Sequence, residues 1–316
     1  IISYKQGVEL HSLMLSKQSD SPRFDFTHVL YYFGGFLAIC SMTLFMGLGN
    51  DLFGTVGILS ISIIYFCISI KLTDIFSKKG MAVLAGITGA FVVSITPLIV
   101  FSVQDLMGLW GNGDLYRDFR TDISATWLIM ELSAISIGSY LVLKYKHPFM
   151  MMPIAVATWY FLIDSLSIFS GTDYDWSWRQ QASIYVGFLM VVIALFIEKQ
   201  TKVKKDFSFW MHIVGVASLW CGLTLQYSDN ELSKFIYFTL NIFLIFTGVF
   251  IGRRVFVIFG SLGVCGYLGH LAFDLFEGSW LFPIALSLIG FLVIYAGVLW
   301  KKYKSMIKSK IKTFLP

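Results

Sequence analysis

Residues 81–103, MAVLAGITGAFVVSITPLIVFSV, decide the fold class, because they contain no charged side chain over their whole length. About 20 apolar residues in a helix cross a hydrocarbon core about 30 Å thick, so this stretch is typical of a transmembrane helix. A lone strand could not satisfy its backbone in lipid, and the stretch lacks the polar–apolar alternation of a barrel strand. We therefore predict a membrane-spanning helix here.

The rest of the chain repeats this pattern, and windows of about 19 residues predict ten transmembrane helices. The predicted spans are 26–48, 53–70, 81–103, 123–143, 149–169, 181–197, 208–226, 232–251, 255–275 and 280–300. We expect an all-α integral membrane bundle over 26–300, preceded by a cytoplasmic segment (1–25) and followed by a basic cytoplasmic tail (301–316). Only 14% of the residues are charged, whereas a soluble domain carries about 25%.

The basic residues support both the number of spans and their orientation. Ten crossings place both termini and the loops after even-numbered spans on one side, which then receives all but four of the 24 Lys and Arg residues. The four on the other side are Arg117, Arg120, Arg179 and Lys234. By the positive-inside rule the basic side is cytoplasmic. The net charge of +5 then reflects topology and contact with anionic membrane lipids, and we expect no nucleic-acid partner.

Ionisable residues inside predicted spans are the candidates for function, because charge is costly in lipid. They are Glu131 in span four, Asp164 in span five, and His270 and Asp274 in span nine, where the spacing of four puts both on one helix face. All four fall in the extracytoplasmic half of the bundle. This shared depth predicts an outward-facing polar pocket that binds a proton, a small cation or another small solute. The alternative is that each group bonds to a neighbouring helix and only fixes packing.

Small and amide-bearing residues predict helix contacts. Span nine contains Gly260, Gly263, Gly266 and Gly269, which permit close packing, and Asn241 in span eight is predicted to hydrogen-bond across helices. Spans four and nine, both small and polar, are predicted to be interior helices. The four cysteines, each within an apolar block, are expected to be small buried hydrophobes.

Several enzyme motifs are missing from the sequence. It contains no G-x-x-x-x-G-K-[ST], no H-E-x-x-H, no G-x-S-x-G and no pair of histidines spaced by four on one helix. ATP-driven chemistry and the common two-histidine zinc site are therefore unsupported, and we expect neither a cofactor nor a metal.

Three longer runs carry a resemblance to a known family: FDFTHVLYYFGG from Phe24, LYRDFRTD from Leu115, and RRVFVIFGSLGVCGYLGHLAFDLF from Arg253. They resemble a family of uncharacterised bacterial polytopic membrane proteins, with the closest likeness over 252–298. The resemblance implies a bacterial inner-membrane location and a single integral domain, and it carries no activity.

Three function classes remain open from sequence. Transport of a small solute or ion suits many helices with buried carboxylates, although no inverted repeat relates the two halves of the chain. An accessory or sensing protein would instead use the lysine-rich tail and the aromatic segment 104–122 to bind a protein partner or lipid. An intramembrane lipid-modifying enzyme would use His270 and Asp274 as a base and its orienting group.

Overall fold

A computed structural model of the chain describes residues 26–110, 125–170, 176–200, 206–226 and 230–271, together with 284, 287, 288, 290, 291 and 295. No strand occurs among these residues, and eight α-helices can be bounded in them. They are α1 (Phe26–Lys78), α2 (Ala82–Leu106), α3 (Ala125–Tyr145), α4 (Met151–Ser170), α5 (Trp176–Gln200), α6 (Phe209–Thr224), α7 (Glu231–Ile251) and α8 (Arg254–His270). A 3-10 turn, Pro148–Met150, leads into α4.

Six helices in the described part of the chain are long and apolar enough to cross a membrane. They are Leu52–Lys78, Ala82–Leu106, Ala125–Tyr145, Pro148–Phe169, Ser177–Gln200 and Glu231–Ile251. The apolar helices α6 and α8 are shorter, at 16 and 17 residues. The predicted all-helical, multi-pass character is therefore found, and the bounds of α2 to α8 follow the predicted spans to within about five residues. Predicted segments 1–25 and 301–316, and most of predicted span ten, lie outside the described residues.

The first two predicted spans both lie in α1, which contains one non-helical residue, Gly54, at φ 61° and ψ 176°. Only glycine adopts this conformation readily, because it has no Cβ. The chain must reverse here, since Thr55 hydrogen-bonds Asp105 at one end of α2 while a Cβ on Gly35 would lie 2.6 Å from Ile87 near the other end. A straight helix rising 1.5 Å per residue would carry Gly35 about 30 Å beyond Thr55, away from α2. Residues before and after Gly54 therefore form two separate helical segments.

The chain divides into two compact units, residues 1–226 (unit 1) and 227–316 (unit 2). In unit 1, α2 is the central helix and packs on α1, α3 and α4. Half of its apolar window is buried, against 22% for α3, which is predicted span four, so α2 is buried more deeply than that predicted interior helix. Small residues explain the difference: at Gly89 in α2, an added Cβ would lie 2.1 Å from the side chain of Met150.

The hairpin turns of unit 1 fall at two opposite ends. At one end, Ser77 lies 3.5 Å from His147, and the Phe149 and Trp210 rings stack edge to face with centroids 5.6 Å apart. That end carries Lys78, Lys79, Lys144, Lys146 and Lys199, and we call it the lysine end. At the other, or distal, end, Gln104 donates to the Thr126 carbonyl and Gln180 donates to the Leu225 carbonyl. The alternating up-and-down course predicted from the charges therefore holds through unit 1.

Glycines hold the remaining hairpins together. In unit 1, Gly187 of α5 lies against Gly215 and Leu219 of α6, where an added Cβ would be 2.4 Å from the Leu219 nitrogen. In unit 2, Gly260 and Gly263 of α8 contact α7, as predicted, whereas Gly266 and Gly269 have open space at the Cβ position.

Large apolar side chains cover the outside of the helices, which is the surface a bilayer requires. Phe169, Leu143 and Tyr185 are 88%, 76% and 71% exposed. The cysteines Cys67, Cys221 and Cys265 also lie on this surface. The prediction that they are buried is wrong, because an apolar side chain in a membrane protein is as well accommodated by lipid as by the interior.

Candidate functional site

The deepest predicted candidate, Glu131, lies on the packed face of α3. It is six residues from the start of α3 at Ala125, which places it about 9 Å from the distal end at 1.5 Å per residue. Met130 and Ala134, its neighbours on this face, are buried in the interior of unit 1. Glu131 itself is only 9% exposed, and its Oε2 atom has no hydrogen-bond partner among the described residues.

Asp164 lies at the same level on α4. It is six residues before the end of α4 at Ser170, again about 9 Å from the distal end. The Asp164 side chain lies close enough to Glu131 for the two carboxyl groups to interact. A carboxylate can only accept hydrogen bonds, so two carboxyl groups form one only by sharing a proton. The structure thus brings two of the four predicted residues together as a carboxyl pair.

The electrostatics of the carboxyl pair define what it can bind. Two unit negative charges about 4 Å apart repel by about 4 kcal/mol at an effective dielectric constant of about 20. Glu131 is surrounded by protein, so water can screen this repulsion only weakly. The pair therefore needs a positive charge between its oxygens, and a proton or a small cation meets that need.

The third predicted residue, His270, belongs to unit 2. His270, at the end of α8 in unit 2, has its Nε2 3.2 Å from Oε2 of Glu231 in the first turn of α7. Lys234 Nζ lies 2.8 Å from Oε1 of the same carboxylate. His270 thus contacts a carboxylate whose side chain is 54% exposed and which also pairs with Lys234. Its predicted partner Asp274 lies outside the described residues.

The distal end of unit 1 adds polar groups close to the first turns of α3. Gln104 is 4% exposed, and its Nε2 donates to the Thr126 carbonyl at 3.1 Å. Trp110 packs edge to face on Trp127, with ring centroids 5.3 Å apart. Trp127 lies one helical turn before Glu131, on the same side of α3. Aromatic rings and an amide therefore lie between the carboxyl pair and the distal surface.

Two successive hydrogen bonds join three helices of unit 1. The Trp159 indole of α4 donates to Ser218 Oγ of α6 at 2.7 Å, and that hydroxyl donates to the Ser183 carbonyl of α5 at 2.9 Å. The Trp159 indole and the Ser218 hydroxyl both donate their hydrogen, so the two bonds fix the relative rotation of the three helices.

Sequence reasoning missed a buried histidine, His212 of α6, which is 0% exposed and lies 3.4 Å from Glu198 of α5. His212 does not stand out in the sequence as a deep ionisable residue, because it falls near a helix start. The available signal was that His212 is the one Asp, Glu, Lys, Arg or His in α6.

The amide of Asn241 in α7 behaves differently from the prediction. It is fully buried, but its Nδ2 donates within its own helix, to the Tyr237 carbonyl at 2.9 Å. A Cβ on Gly263 would lie 2.0 Å from its Oδ1, so the glycine Cα–H points at this oxygen across the helix pair. At Gly263, α7 and α8 thus meet through a weak C–H···O contact.

Comparisons with models of known protein families, with characterised proteins and with solved structures find no match to this chain.

Proposed function

We propose that this protein transports a small solute or ion across a membrane, and that a proton or small cation binds between Glu131 and Asp164. The observation that carries the proposal is the proximity of these two carboxyl groups, one of them buried, inside an apolar bundle. Removal of the shared proton leaves two carboxylates side by side, and entry of one monovalent cation restores the charge. Loss of one proton for one bound cation conserves charge, which is the elementary step of an exchanger.

The position of the pair also supports transport. A purely structural polar contact works at any depth, whereas a transported ion must reach its site from water. The pair lies about 9 Å from the distal end, with an amide and two indoles on the way to it.

We further propose ten transmembrane helices, both termini in the cytoplasm and a location in the bacterial inner membrane. The reversal at Gly54 supports the proposal that residues 26–53 and 55–78 cross separately, and the lysine end of unit 1 would face the cytoplasm. The bacterial location is supported by the family resemblance alone.

Proton exchange in liposomes tests the carboxyl pair. Purified protein is reconstituted with a trapped pH-sensitive dye, and a Na⁺ or K⁺ gradient is imposed. We expect the wild-type protein to change the internal pH in response to one of these gradients. Glu131→Gln and Asp164→Asn, each nearly isosteric, should lower the rate at least 10-fold.

The matched control is Asp74→Asn, which removes a carboxylate that pairs with Lys78 on the surface of α1 at 2.6 Å. It should exchange like the wild type. Glu131→Gln protein that elutes as a folded particle and exchanges at the wild-type rate would sink the proposal. So would wild-type liposomes that behave like protein-free ones.

Orientation is tested by cysteine labelling in a protein that lacks its four native cysteines. A thiol at Leu109 (distal end) should react with a membrane-impermeant maleimide on intact cells. One at Lys79 (lysine end) should react only after lysis. The opposite pattern contradicts the orientation.

A further inference from the structure

The lysine end of unit 1 contains a second buried ionisable group, His212, in the first turn of α6. The residue is 0% exposed, and its Nε2 lies 3.4 Å from Oε2 of Glu198, two residues before the end of α5. The Glu198 side chain is 41% exposed. A partly exposed carboxylate thus contacts an enclosed imidazole at the lysine end of unit 1.

The residue next to His212 on α6, Met211, belongs to an apolar cluster that also contains Ala155 of α4 and Ala194 of α5. The charged residues of this end that neighbour His212 are Glu198 and Lys199 at the end of α5, and Asp206, which accepts a hydrogen bond from Ser208 at 3.0 Å. Glu198 is the one whose contact with the ring is seen.

We infer that His212 and Glu198 form a proton-binding site that exchanges protons with water at the lysine end. Imidazole is the side chain whose charge ordinarily changes between pH 5 and 8. The starting state is a neutral His212 ring with a free lone pair on Nε2. A proton from water binds first to the Glu198 carboxylate and then passes to Nε2. The result is an imidazolium beside a carboxylate. The return transfer releases the same proton to water. Only O–H and N–H bonds form and break.

Polar groups of α6 and α4 lie at levels between this site and the carboxyl pair. Ser218 lies six residues after His212 on α6, about 9 Å further from the lysine end, and bonds Trp159 of α4. Asp164 follows Trp159 by five residues, about 7.5 Å further along α4. These separations are too long for direct proton transfer, so the His212 site stands on its own and does not rest on the proposed function.

Nuclear magnetic resonance of protein labelled with ¹⁵N-histidine, in lipid nanodiscs, tests the site directly. His212→Gln identifies the His212 signal by its loss. We expect this signal to pass from the neutral to the protonated form between pH 5 and 8. Glu198→Gln, a change at a half-exposed residue that should leave folding intact, should shift the midpoint by at least about half a pH unit.

Glu231→Gln is the matched control, because it removes a carboxylate that contacts a different histidine, His270. It should leave the His212 signal unchanged. A His212 ring that keeps one protonation state from pH 5 to 8 overturns the inference, and so does an unchanged midpoint in Glu198→Gln. Because no transport is measured, these results stand apart from the liposome assay of Glu131→Gln, and either proposal can fail alone.

Discussion

Replacement of Gly187 by alanine should separate α5 from α6. The added Cβ would lie 2.4 Å from the Leu219 nitrogen and 2.6 Å from the Gly215 oxygen. Both are backbone atoms, so no side-chain rotation can relieve the overlap. Ordinary contact begins near 3.4 Å, and the helices must therefore move apart by about 1 Å along their contact line.

The energetic effect of Gly187→Ala combines two opposing contributions. Overpacking costs about 1–3 kcal/mol, and a backbone overlap belongs at the upper end of that range. Alanine recovers up to about 1 kcal/mol through its better helix propensity. The net loss is about 2 kcal/mol, which lowers Tm by about 4–8 °C in a unit of this size. Thermal unfolding in detergent, followed by intrinsic tryptophan fluorescence, measures the shift.

Gly266→Ala provides the control of opposite sign. The Cβ position at Gly266 has no atom within 4 Å, so alanine gains helix propensity without overlap, and Tm should stay level or rise. If Gly187→Ala is as stable as the wild type, or if both variants lose stability equally, then α5 and α6 do not meet through this glycine.

Three further variants probe other contacts by the same Tm measurement. Gly263→Ala should lower the free energy of unfolding by about 2–3 kcal/mol in the wild-type protein. The loss should be clearly smaller when Asn241 is also alanine, because the overlapping amide atoms are then gone. Equal losses in both backgrounds would contradict the contact. Trp159→Phe and Ser218→Ala should each lower the free energy of unfolding by about 1 kcal/mol, and the double variant should lose less than their sum, since both remove the hydrogen bond between these two side chains. Gly54→Ala should cost about 1–3 kcal/mol, because alanine is strained at φ 61°; an unchanged Tm would mean that the reversal does not need glycine.

The positions of the helices could be predicted from sequence because they depend on local properties. In lipid each helix must satisfy its own backbone and cover itself with about 20 apolar residues. Packing is not local in this sense. Whether α2 or α3 lies at the centre of unit 1 depends on which small residues meet which side chains, as at Gly89 and Met150.

The pairing of site residues lies between these two cases. In an antiparallel hairpin, residues equally far from the turn lie at the same level. Glu131 is 14 residues before the end of α3 and Asp164 is 13 after the start of α4. Glu198 and His212 stand two and three residues from the ends that face their connection. Both contacts could therefore have been predicted by pairing every ionisable residue with those at equal distance across the next turn.

A residue's distance from the turn predicts its level along the helix pair, but not which way its side chain faces. A helix turns by 100° per residue, so a residue at the right level faces the neighbouring helix only about one time in three. For Glu131 the direction can be read from Ala134, Gly138 and Leu141, which share its face and are buried. Span four also carries Ser133, Ser136 and Ser139, whose spacing makes a second face equally small and polar in sequence. Composition alone cannot tell which of the two faces is buried. Ile154 and Val93 contact Gly138 because their shapes fit there, and such a fit is defined only when the helices are assembled.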